Sequence, residues 1–478
     1  MRFKVNRRGA IRKSKREMAG ARSQVFHRIV ASAVGVTAAL VLASSATATF
    51  PGLNGGIAFI RFGPGAEIVA VDPSGGVVFQ SPYFGPSDYD PAWSPDGRWL
   101  AFSRIADITA EDGIYVVDAW GGHLRRLTRG DDEDPSWAPS GDEIVYAGHR
   151  PGIWVTNADG TGAHQIVADL DAEHPSWSPD GETIAFDNGG GGIFLVRPDG
   201  SGLQKILSTG IAPEWAPDGS QLTYMGGDVD LEESQVWVAQ RDGSGAHPVT
   251  RGSTDLWPTW SPDGKWIAFS RTGLFSCCDF KVYAIRPDGT GLRRLTNGPD
   301  DVDVDWQPLS CTQTGTSGPD LLLGTSSADV LCGQGGDDTL RAVGGADILV
   351  GSRGDDFLAG AGRTLLFGGS GDDQLVGGQS NDVLAGGFGA DLLRGSSGRD
   401  LLGGSAGADA IRGGPGPDRL FGESGRDILF GGNGRDRLFG RDGQPDRLDG
   451  GRNHDCAIAD RPRIDRVKNA RRCSLGQL

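Results

Sequence analysis

Between residues 53 and 309, short runs of β-branched and aromatic residues alternate with turn-forming residues at a regular spacing. A marker of the form Trp-Ser/Ala-Pro-Asp/Ser-Gly recurs in five full copies, 38 to 45 residues apart. The tryptophans of these copies are Trp93, Trp137, Trp177, Trp215 and Trp260, and Trp306 begins a truncated sixth copy. Pro presets φ and Gly relieves the steric demand of the turn after each Trp. Four short strands at a period near 40 residues predict one propeller blade per repeat.

The two ends of this region complement each other. Residues 57–61 (Ile-Ala-Phe-Ile-Arg) match the second strand of a blade whose first strand is missing, and residues 304–306 supply a first strand with nothing after it. Joining the two ends closes a ring of six blades and covers strand edges that would otherwise invite aggregation. We therefore expect a six-bladed β-propeller.

After Cys311 the hydrophobic period changes to nine residues. Gly makes up 37 of the 137 residues in 315–451, and eight unbroken nonapeptides of the form G-G-x-G-x-D-x-L-x run from Gly368 to Phe439. The x-Leu-x triplet predicts a minimal strand whose Leu lies in a narrow core. The glycines permit the left-handed φ angles of the turn between successive strands. Two nonapeptides make one coil, which predicts a parallel β-roll in which residues 18 apart stack.

An aspartate occupies position six of each nonapeptide. Stacked carboxylates and turn carbonyls offer all-oxygen coordination, which suits Ca²⁺ and not thiophilic metals. The alternative is a glycine-rich disordered linker, which is favoured without calcium because the Asp rows repel and one Leu per unit buries little surface. The predicted calcium ligands are Asp320, Asp329, Asp338, Asp347, Asp356, Asp373, Asp382, Asp391, Asp400, Asp409, Asp418, Asp427 and Asp436.

One unit departs from this pattern. Residues 360–367 form an eight-residue unit with Thr364 where Asp belongs. We expect a full calcium site to be missing there, and the roll to kink or divide.

The two repeats carry family resemblances. The Trp-containing repeat resembles the TolB-like β-propeller family, which includes periplasmic binding proteins and the propeller lids of prolyl-oligopeptidase-type enzymes. This resemblance therefore implies a fold and not a function. The nonapeptide array resembles the haemolysin-type (RTX) calcium-binding repeat, which implies that several Ca²⁺ ions bind.

The N-terminus and the charge indicate export. The apolar stretch from Ile29 to Ala43 is short, follows basic residues and ends in Ala46-Thr47-Ala48, which is typical of a cleaved signal peptide, although an uncleaved anchor is the alternative. Either Met1 or Met18 is the start. Residues 1–48 carry ten basic residues and one acidic residue, so the remainder has a net charge of −25. Such a surface repels nucleic acid and anionic membranes and suits cations.

These observations divide the chain into four parts. They are a signal peptide (1–48), the propeller (49–309), the calcium-binding roll (310–455) and a C-terminal cap (456–478). Six Cys in an exported protein suggest disulfides. We expect Cys311–Cys332 and Cys456–Cys473 at the two ends of the array. Cys277 and Cys278 are adjacent and form a vicinal disulfide, stay free or pair elsewhere.

A cation or ligand site is predicted at the mouth of the propeller channel. Three residues before each marker Trp stand Asp303, Asp90, Asp134 and His174 in consecutive blades, with Ala212 and Trp257 opposite. Asp88, Asp132 and Asp301 would reinforce the acidic side, and Trp257 could stack on a cationic group. The alternative is that these Asp residues only cap turns before Pro.

No catalytic residues are predicted, because the sequence has no G-x-S-x-G elbow, no H-E-x-x-H motif and no phosphate loop. We expect an all-β secreted calcium-binding protein with no membrane span after signal removal. Its propeller would recognise an extracellular protein or glycan, and its roll would serve as a spacer or adhesive stalk. The alternatives are a secreted hydrolase or lyase acting on the propeller face and a TolB-like envelope or transport-associated factor.

Overall fold

The fold was examined in a computed structural model. It describes residues 53–62, 66–71, 77–80, 87–105, 111–148, 152–168, 171–189, 192–227, 234–251, 254–272, 280–296, 300–440, 442–459 and 466–473. The N-terminal signal segment, Cys277 and Cys278 lie outside these residues. The regular structure of the described part is entirely β. It forms two compact units, one built largely from residues 53–309 and the other from residues 310–473.

The first unit contains six four-stranded antiparallel sheets, as predicted for a six-bladed propeller. Blade 6 combines strands from both ends of the unit. The strands in chain order are β1 (Leu53–Phe62), β2 (Ala66–Val71) and β3 (Val77–Gln80); in blade 1, β4 (Ser87–Trp93), β5 (Trp99–Ile105), β6 (Gly113–Asp118) and β7 (Arg125–Arg126); in blade 2, β8 (Glu133–Trp137), β9 (Glu143–Ala147), β10 (Gly152–Asn157) and β11 (His164–Ala168); in blade 3, β12 (Glu173–Trp177), β13 (Ile184–Asp187), β14 (Ile193–Val196) and β15 (Gln204–Leu207); in blade 4, β16 (Ile211–Trp215), β17 (Gln221–Gly226), β18 (Gln235–Gln240) and β19 (His247–Pro248); in blade 5, β20 (Thr254–Trp260), β21 (Ile267–Thr272), β22 (Lys281–Ile285) and β23 (Arg293–Arg294); and finally β24 (Asp301–Leu309).

The ring closes as the sequence predicts. β24 is the innermost strand of blade 6 and pairs antiparallel with β1, so that Ile57 lies opposite Trp306 and Phe59 opposite Val304. The marker tryptophans are buried, and two of them donate a hydrogen bond to the neighbouring blade. The Trp137 indole N–H donates to the Ala92 carbonyl at 3.0 Å, and that of Trp215 donates to the Ser176 carbonyl at 3.2 Å. Trp137 and Trp215 thereby satisfy their indole N–H groups while filling the core between two sheets.

The second unit is a roll of two parallel sheets whose strands alternate along the chain. The ten-stranded sheet consists of β25 (Gln313–Thr314), β27 (Val330–Cys332), β29 (Ala346–Arg353), β31 (Arg363–Ser370), β33 (Val383–Phe388), β35 (Leu401–Gly407), β37 (Arg419–Gly425), β39 (Arg437–Gly440), β41 (Asp455–Ala459) and β43 (Ala470–Arg472). The nine-stranded sheet consists of β26 (Leu321–Leu323), β28 (Thr339–Arg341), β30 (Phe357–Ala359), β32 (Gln374–Gly378), β34 (Leu392–Ser396), β36 (Ala410–Pro415), β38 (Ile428–Asn433), β40 (Arg447–Arg452) and β42 (Arg466–Lys468).

One leucine from each nonapeptide fills the space between the two sheets. These side chains are almost fully buried and form a single file along the roll, in which Leu393 contacts its counterparts from neighbouring coils. Because each strand supplies one core residue, the apolar core is only one side chain wide. The position-eight leucines predicted from the sequence are therefore the core of the unit.

The expected division of the roll at the eight-residue unit is wrong. β31 pairs in parallel with both β29 and β33, so the sheet continues through Thr364. Paired residues of β29 and β31 are 17 positions apart in the chain instead of 18, so the shorter unit changes only this separation. Asp347 therefore lies opposite Thr364. The backbone ladder depends on the strand triplets, and a shorter turn leaves those triplets intact.

Two disulfides lie in this unit, Cys311–Cys332 and Cys456–Cys473. The first joins the connection before β25 to β27, and the second joins β41 to the residue after β43. Both therefore tie end strands of the ten-stranded sheet. In the part of the chain that is described, no helix has the length and apolarity needed to cross a bilayer.

Candidate functional site

The position-six aspartates form two ladders along the turns of the roll. In each ladder a carboxylate Oδ1 accepts the backbone N–H of the ladder residue one coil earlier, at 2.8 to 3.0 Å. Asp382, for example, accepts from Thr364, and Asp400 accepts from Asp382. Since side chains one coil apart stack in register, each carboxylate stands directly above another. The structure thus brings together the acidic residues that the sequence placed at one position of the repeat.

The second carboxylate oxygen of most ladder residues is buried with no hydrogen-bond partner. A buried acceptor without a donor costs free energy, and the cost is greater for a charged group. Within the described residues, this applies to Oδ2 of Asp338, Asp356, Asp373, Asp382, Asp400, Asp409, Asp418, Asp427, Asp436 and Asp455. Two rows of buried carboxylate oxygens therefore lack a hydrogen-bond donor.

The pKa values of these carboxyls reflect that lack. Burial raises the pKa of Asp373 to about 8, with neighbouring carboxylates adding to the rise and the backbone N–H opposing it. Burial likewise raises the pKa of Asp356, Asp400, Asp409, Asp418, Asp427 and Asp436 to about 7. Without a cation, the folded ladder would hold protons near neutral pH.

The glycine at position one shows where the donor atoms converge. A Cβ at Gly377 would lie 2.6 Å from Asp382 Oδ2 and 2.8 Å from the Gly395 carbonyl oxygen of the next coil. The space above this glycine is thus a cradle lined by carboxylate and carbonyl oxygens. Oxygen-only donors in irregular, multidentate arrangements are what Ca²⁺ prefers. The residues present fit calcium, and any side chain at position one would obstruct the donors.

The structure adds two members that the sequence analysis did not include. Asp446 Oδ1 accepts the N–H of Asp427, and Asp455 Oδ1 accepts that of Asp436, so both continue the ladders. The unit before Asp446 has one extra residue, which breaks the nine-residue count. The sequence still marks both residues, because each lies two positions before an apolar core residue. Leu448 follows Asp446 in this way, and Ala457 follows Asp455.

The first two members differ from the rest. Asp320 Oδ2 accepts both the N–H and the hydroxyl of Thr316, at 2.6 and 2.8 Å, and Asp329 Oδ2 accepts the same pair from Thr325, at 2.6 and 2.9 Å. A threonine at position two thus supplies donors that the glycine-containing units lack. At the start of the array, the protein itself therefore supplies hydrogen-bond donors for the second carboxylate oxygen.

In the propeller, the six predicted channel positions are structurally equivalent. Each lies at a register shift between the two inner strands of its blade and has a left-handed φ of 49 to 58°. Such angles are uncommon for residues other than glycine. All six side chains are buried, with exposures of 7% or less. The positions are Asp90, Asp134, His174, Ala212, Trp257 and Asp303.

Several of these residues connect one blade to the next. Asp90 Oδ2 accepts the Asp134 N–H at 3.4 Å, and Asp134 Oδ2 accepts the His174 N–H at 3.3 Å. Ser270 Oγ accepts the Asp303 N–H at 3.0 Å. These hydrogen bonds link blades 1, 2 and 3 and, separately, blades 5 and 6 along the inner strands; we call the residues Asp90, Asp134, His174 and Asp303 the propeller belt. On the opposite side, Trp257 lies in an apolar cluster that includes Ala212.

His174 contributes a positive charge to this belt. Its Nδ1 contacts Asp187 Oδ2, and Asp187 in turn accepts the N–H of Ala212 at 2.9 Å. Burial alone would lower the pKa of His174, but Asp187 and Asp134 raise it to about 10. Glu173, His174 and Asp187 also have potential ligand atoms within 4.8 Å of one another. Asp187 and Glu173 were not singled out from the sequence, because only the fold brings β13 beside β12.

The expectation that Asp88 and Asp301 reinforce an acidic mouth is wrong. Asp88 forms a two-pronged ion pair with Arg104, at 2.6 and 2.9 Å, and Asp301 forms one with Arg61, at 2.7 and 3.1 Å. Asp255 pairs in the same way with Arg271 in blade 5. The sequence offered a signal, because each Arg lies at the same place in the second strand. These carboxylates are neutralised within their own blades.

Comparisons with known proteins match both units. Residues 54–211 match the family model for the TolB beta propeller domain, and five overlapping or adjacent segments between residues 314 and 455 match the RTX calcium-binding nonapeptide repeat. A 106-residue stretch is 34% identical to the uncharacterized peptidase YuxL of Bacillus subtilis, over 20% of this chain and 15% of that protein. A 197-residue stretch is 28% identical to the Tol-Pal system protein TolB of Francisella tularensis, over 38% of this chain and 45% of that protein.

Among solved structures, TolB from Acinetobacter baumannii has a TM-score of 0.46 and 18% identity, over 53% of this chain and 67% of that one. The chain spans less than half the length of either curated relative named above. Their names therefore describe those proteins and not this one.

Proposed function

We propose that this chain, a calcium-binding protein with a TolB-like β-propeller joined to RTX repeats, is secreted and becomes fully ordered on meeting calcium outside the cytoplasm. The observation that supports this most directly is the pair of rows of buried Oδ2 atoms in the roll. A divalent cation between successive coils would neutralise two carboxylates at once. The ladder residues would hold the ion, and the ion would supply a positive charge beside the buried Oδ2 atoms.

The location is proposed from the N-terminal sequence and from calcium availability. The apolar stretch before Ala46-Thr47-Ala48 has the pattern of a secretory signal. Extracellular calcium modules have affinities of roughly 10⁻⁴–10⁻³ M. A roll in this range would stay unfolded at low calcium and order after export. We propose that the ordered roll then serves as a spacer or adhesive stalk.

The test is far-UV circular dichroism of the full chain in chelator and in millimolar calcium, with tryptophan emission recorded in parallel. All 12 Trp and all 6 Tyr precede residue 310, so aromatic emission reports on the propeller alone. We expect calcium to increase the β signal while tryptophan emission hardly changes. Identical circular dichroism in the two conditions would refute calcium-dependent folding.

For the propeller we propose a recognition role, centred on a small cation or a cationic ligand group at the belt. Asp303, Asp90 and Asp134 occupy three consecutive blades, and their side chains are 2% exposed or less. Carboxylates on neighbouring inner strands repel one another, and a positive charge near them reduces that repulsion. His174 supplies one such charge beside Asp134, and we propose that a cation adds another on the side of Asp303 and Asp90. An extracellular protein or glycan is the proposed partner class.

This site is tested with the triple variant Asp90→Asn, Asp134→Asn and Asp303→Asn in the full chain. Asn keeps an oxygen that can accept the N–H of the next blade, so we expect the belt to survive. Tryptophan-monitored melting with and without added divalent cations should show stabilisation of the parent that the variant lacks. The matched control is Asp159→Asn, Asp199→Asn and Asp288→Asn, on exposed turns. Equal cation response, or no response in the parent, would assign these residues a structural role only.

The enzyme alternative would use the group formed by Glu173, His174 and Asp187, which converge as a catalytic cluster would. One fact favours binding over catalysis. Asp187 is occupied in joining blade 3 to blade 4 through the Ala212 N–H. A hydrolase or lyase activity therefore stands second to recognition.

A further inference from the structure

We propose that the outer face of the C-terminal half of the nine-stranded sheet binds an acidic polysaccharide. This basic face consists of the outward side chains of β34, β36, β38, β40 and β42. It carries five exposed cations, namely Arg394, Arg412, Arg447, Arg466 and Lys468. The proposal rests on the calcium-dependent ordering of the roll, because only the ordered sheet aligns these side chains on one face.

The cations are aligned by the parallel register. Arg394 lies beside Arg412 on the next strand, and Arg447 lies beside Arg466. Neighbouring strands are about 4.8 Å apart. Like charges that face each other on adjacent strands destabilise a sheet. These pairs therefore cost the fold free energy, which an external anion would offset.

Few counter-charges lie on the same face. Among the described residues, Lys468 alone of the five forms an ion pair, with Asp449 at 3.5 Å. The Arg412 guanidinium stacks over the Phe430 ring, with its central carbon 5.3 Å from the ring centroid. Stacking fixes the guanidinium plane while its N–H groups stay at the edge, available to a carboxylate or sulfate.

The N-terminal half of the same sheet shows that the charge is local. Its outward positions in β26, β28, β30 and β32 are apolar or neutral with one exception, Arg341. The nonapeptide fold thus accepts uncharged side chains at these positions. The cations are a property of one patch and not a requirement of the roll.

Calcium and this face are linked by charge. The ladder carboxylates that precede the five strands include Asp391, Asp409 and Asp427, and their side chains point inward and are buried. In the calcium-bound roll these carboxylates would be neutralised, which leaves the outward cations uncompensated. The face is then locally positive although the whole chain has a formal charge of −16. A polymer with repeated anionic groups can contact both arginine pairs, Arg394 with Arg412 and Arg447 with Arg466, at the same time.

The experiment measures binding of the full chain, in millimolar calcium, to labelled hyaluronate, dextran sulfate and neutral dextran. The two anionic polymers separate carboxylate from sulfate recognition. The test variant is Arg394→Gln, Arg412→Gln and Arg447→Gln. The matched control is Arg129→Gln, Arg251→Gln and Arg294→Gln, which removes the same charge from exposed positions of the propeller. We expect binding to at least one anionic polymer, weakened roughly tenfold by the test variant and little by the control, and reduced by added salt.

Circular dichroism on the same samples separates this proposal from the proposed function. If calcium orders the roll but neither anionic polymer binds, the basic face is refuted and calcium binding stands. Equal loss of binding in the two triple variants, or tighter binding to a DNA duplex or to anionic vesicles than to both polymers, would also overturn it. If calcium leaves the circular dichroism unchanged, calcium-dependent folding fails, and selective loss of binding in the test variant would still support the basic face.

Discussion

The propeller and the roll bury acidic side chains in opposite ways. In the propeller, several buried carboxylates meet positive partners from the same unit. Asp255 is paired with Arg271, and Asp187 with His174. In the roll, the ladder carboxylates meet other carboxylates and one backbone N–H each. The propeller therefore neutralises several of its buried acids internally, whereas the ladder carboxylates of the roll depend on charges from solution.

This difference follows from the two repeats. A blade has four strands of different sequence, so an Asp on the inner strand can meet an Arg on the second strand. In the roll, identical positions stack on one another, so every Asp meets an Asp. Stacking one charge along a solenoid makes the stability of that unit depend on an ion, and we expect the two units to respond differently to calcium, acid and mutation.

The largest expected effect is an opposite pH dependence of the roll with and without calcium. Burial raises the pKa of ladder residues such as Asp373 to about 8. The folded calcium-free roll thus binds more protons than the unfolded chain, so its stability is greatest below the unfolded pKa near 4 and is lost as pH rises toward 8. With calcium bound, protons compete with the ion, and stability should fall as pH falls.

Far-UV circular dichroism from pH 4 to pH 8, with chelator and with calcium, checks this crossover. The tryptophan signal of the propeller is the internal reference, because buried acids such as Asp88 and Asp255 are already paired with arginines. Parallel pH profiles in chelator and in calcium would show that protonation of the ladder does not govern the fold. A propeller that loses its structure at the same pH as the calcium-free roll would remove the contrast between the units.

The next effect concerns the paired acids of the propeller. Asp255→Asn should destabilise the propeller by about 3 kcal/mol, because it leaves the Arg271 guanidinium, only 16% exposed, without its carboxylate. Denaturant unfolding followed by tryptophan emission measures the change. The control is Asp180→Asn, whose partner Arg241 is 38% exposed, where we expect about 1 kcal/mol or less. Equal losses of unfolding free energy in the two variants would show that burial of the ion pair does not determine its contribution to stability.

A comparable effect is expected at the ends of the roll. Replacing Cys456 and Cys473 by Ser should lower the stability of the roll by about 2–3 kcal/mol. The disulfide closes a loop with a sequence separation of 17, and its loss restores conformational entropy to the unfolded chain. Solenoids fray from ends that lack caps. The measurement is the calcium concentration at the midpoint of the circular dichroism transition, which should rise while the propeller melt stays constant. A constant midpoint would mean that the ladders alone hold the last coils.

The sequence predicted much of this architecture because both repeats are periodic. The marker tryptophans reveal the blades, and the incomplete repeats at Ile57 and Trp306 reveal how the ring closes. The position-eight leucines reveal the core of the roll. In each case one residue type recurs at a fixed spacing and plays one physical role, so a pattern in the chain translates directly into a position in the fold.

The remainder depends on contacts between unlike residues, which periodicity does not show. Asp88 was expected to face the channel but is paired with Arg104 across two strands. Asp187 is not part of any repeat, yet it anchors His174 and blade 4. Asp446 was missed because one inserted residue breaks the count while the strand register absorbs it. Such features arise from pairing in space and from small changes of register.

The smallest expected effect, the gain of one ion, tests whether a missing carboxylate alone interrupts the ladder at Thr364. This residue is fully buried, and its N–H and hydroxyl both donate to Asp382 Oδ1, at 2.8 and 3.0 Å. Burial raises the pKa of Asp382, but these two donors limit the rise to about 6. Thr364→Asp replaces the hydroxyl donor with a carboxylate. We expect it to destabilise the calcium-free roll and to add about one bound ion in calcium.

Thr364→Val is the matched control, because it removes the hydroxyl from nearly the same volume without adding a ligand. Both variants should weaken the calcium-free roll, but only Thr364→Asp should raise the number of ions bound per chain in equilibrium dialysis. If Thr364→Asp binds no more calcium than Thr364→Val, the shortened turn of residues 360–367 must itself prevent coordination. The ladder would then need the full nine-residue turn as well as its carboxylate, which would make the roll's dependence on calcium a matter of spacing as much as of charge.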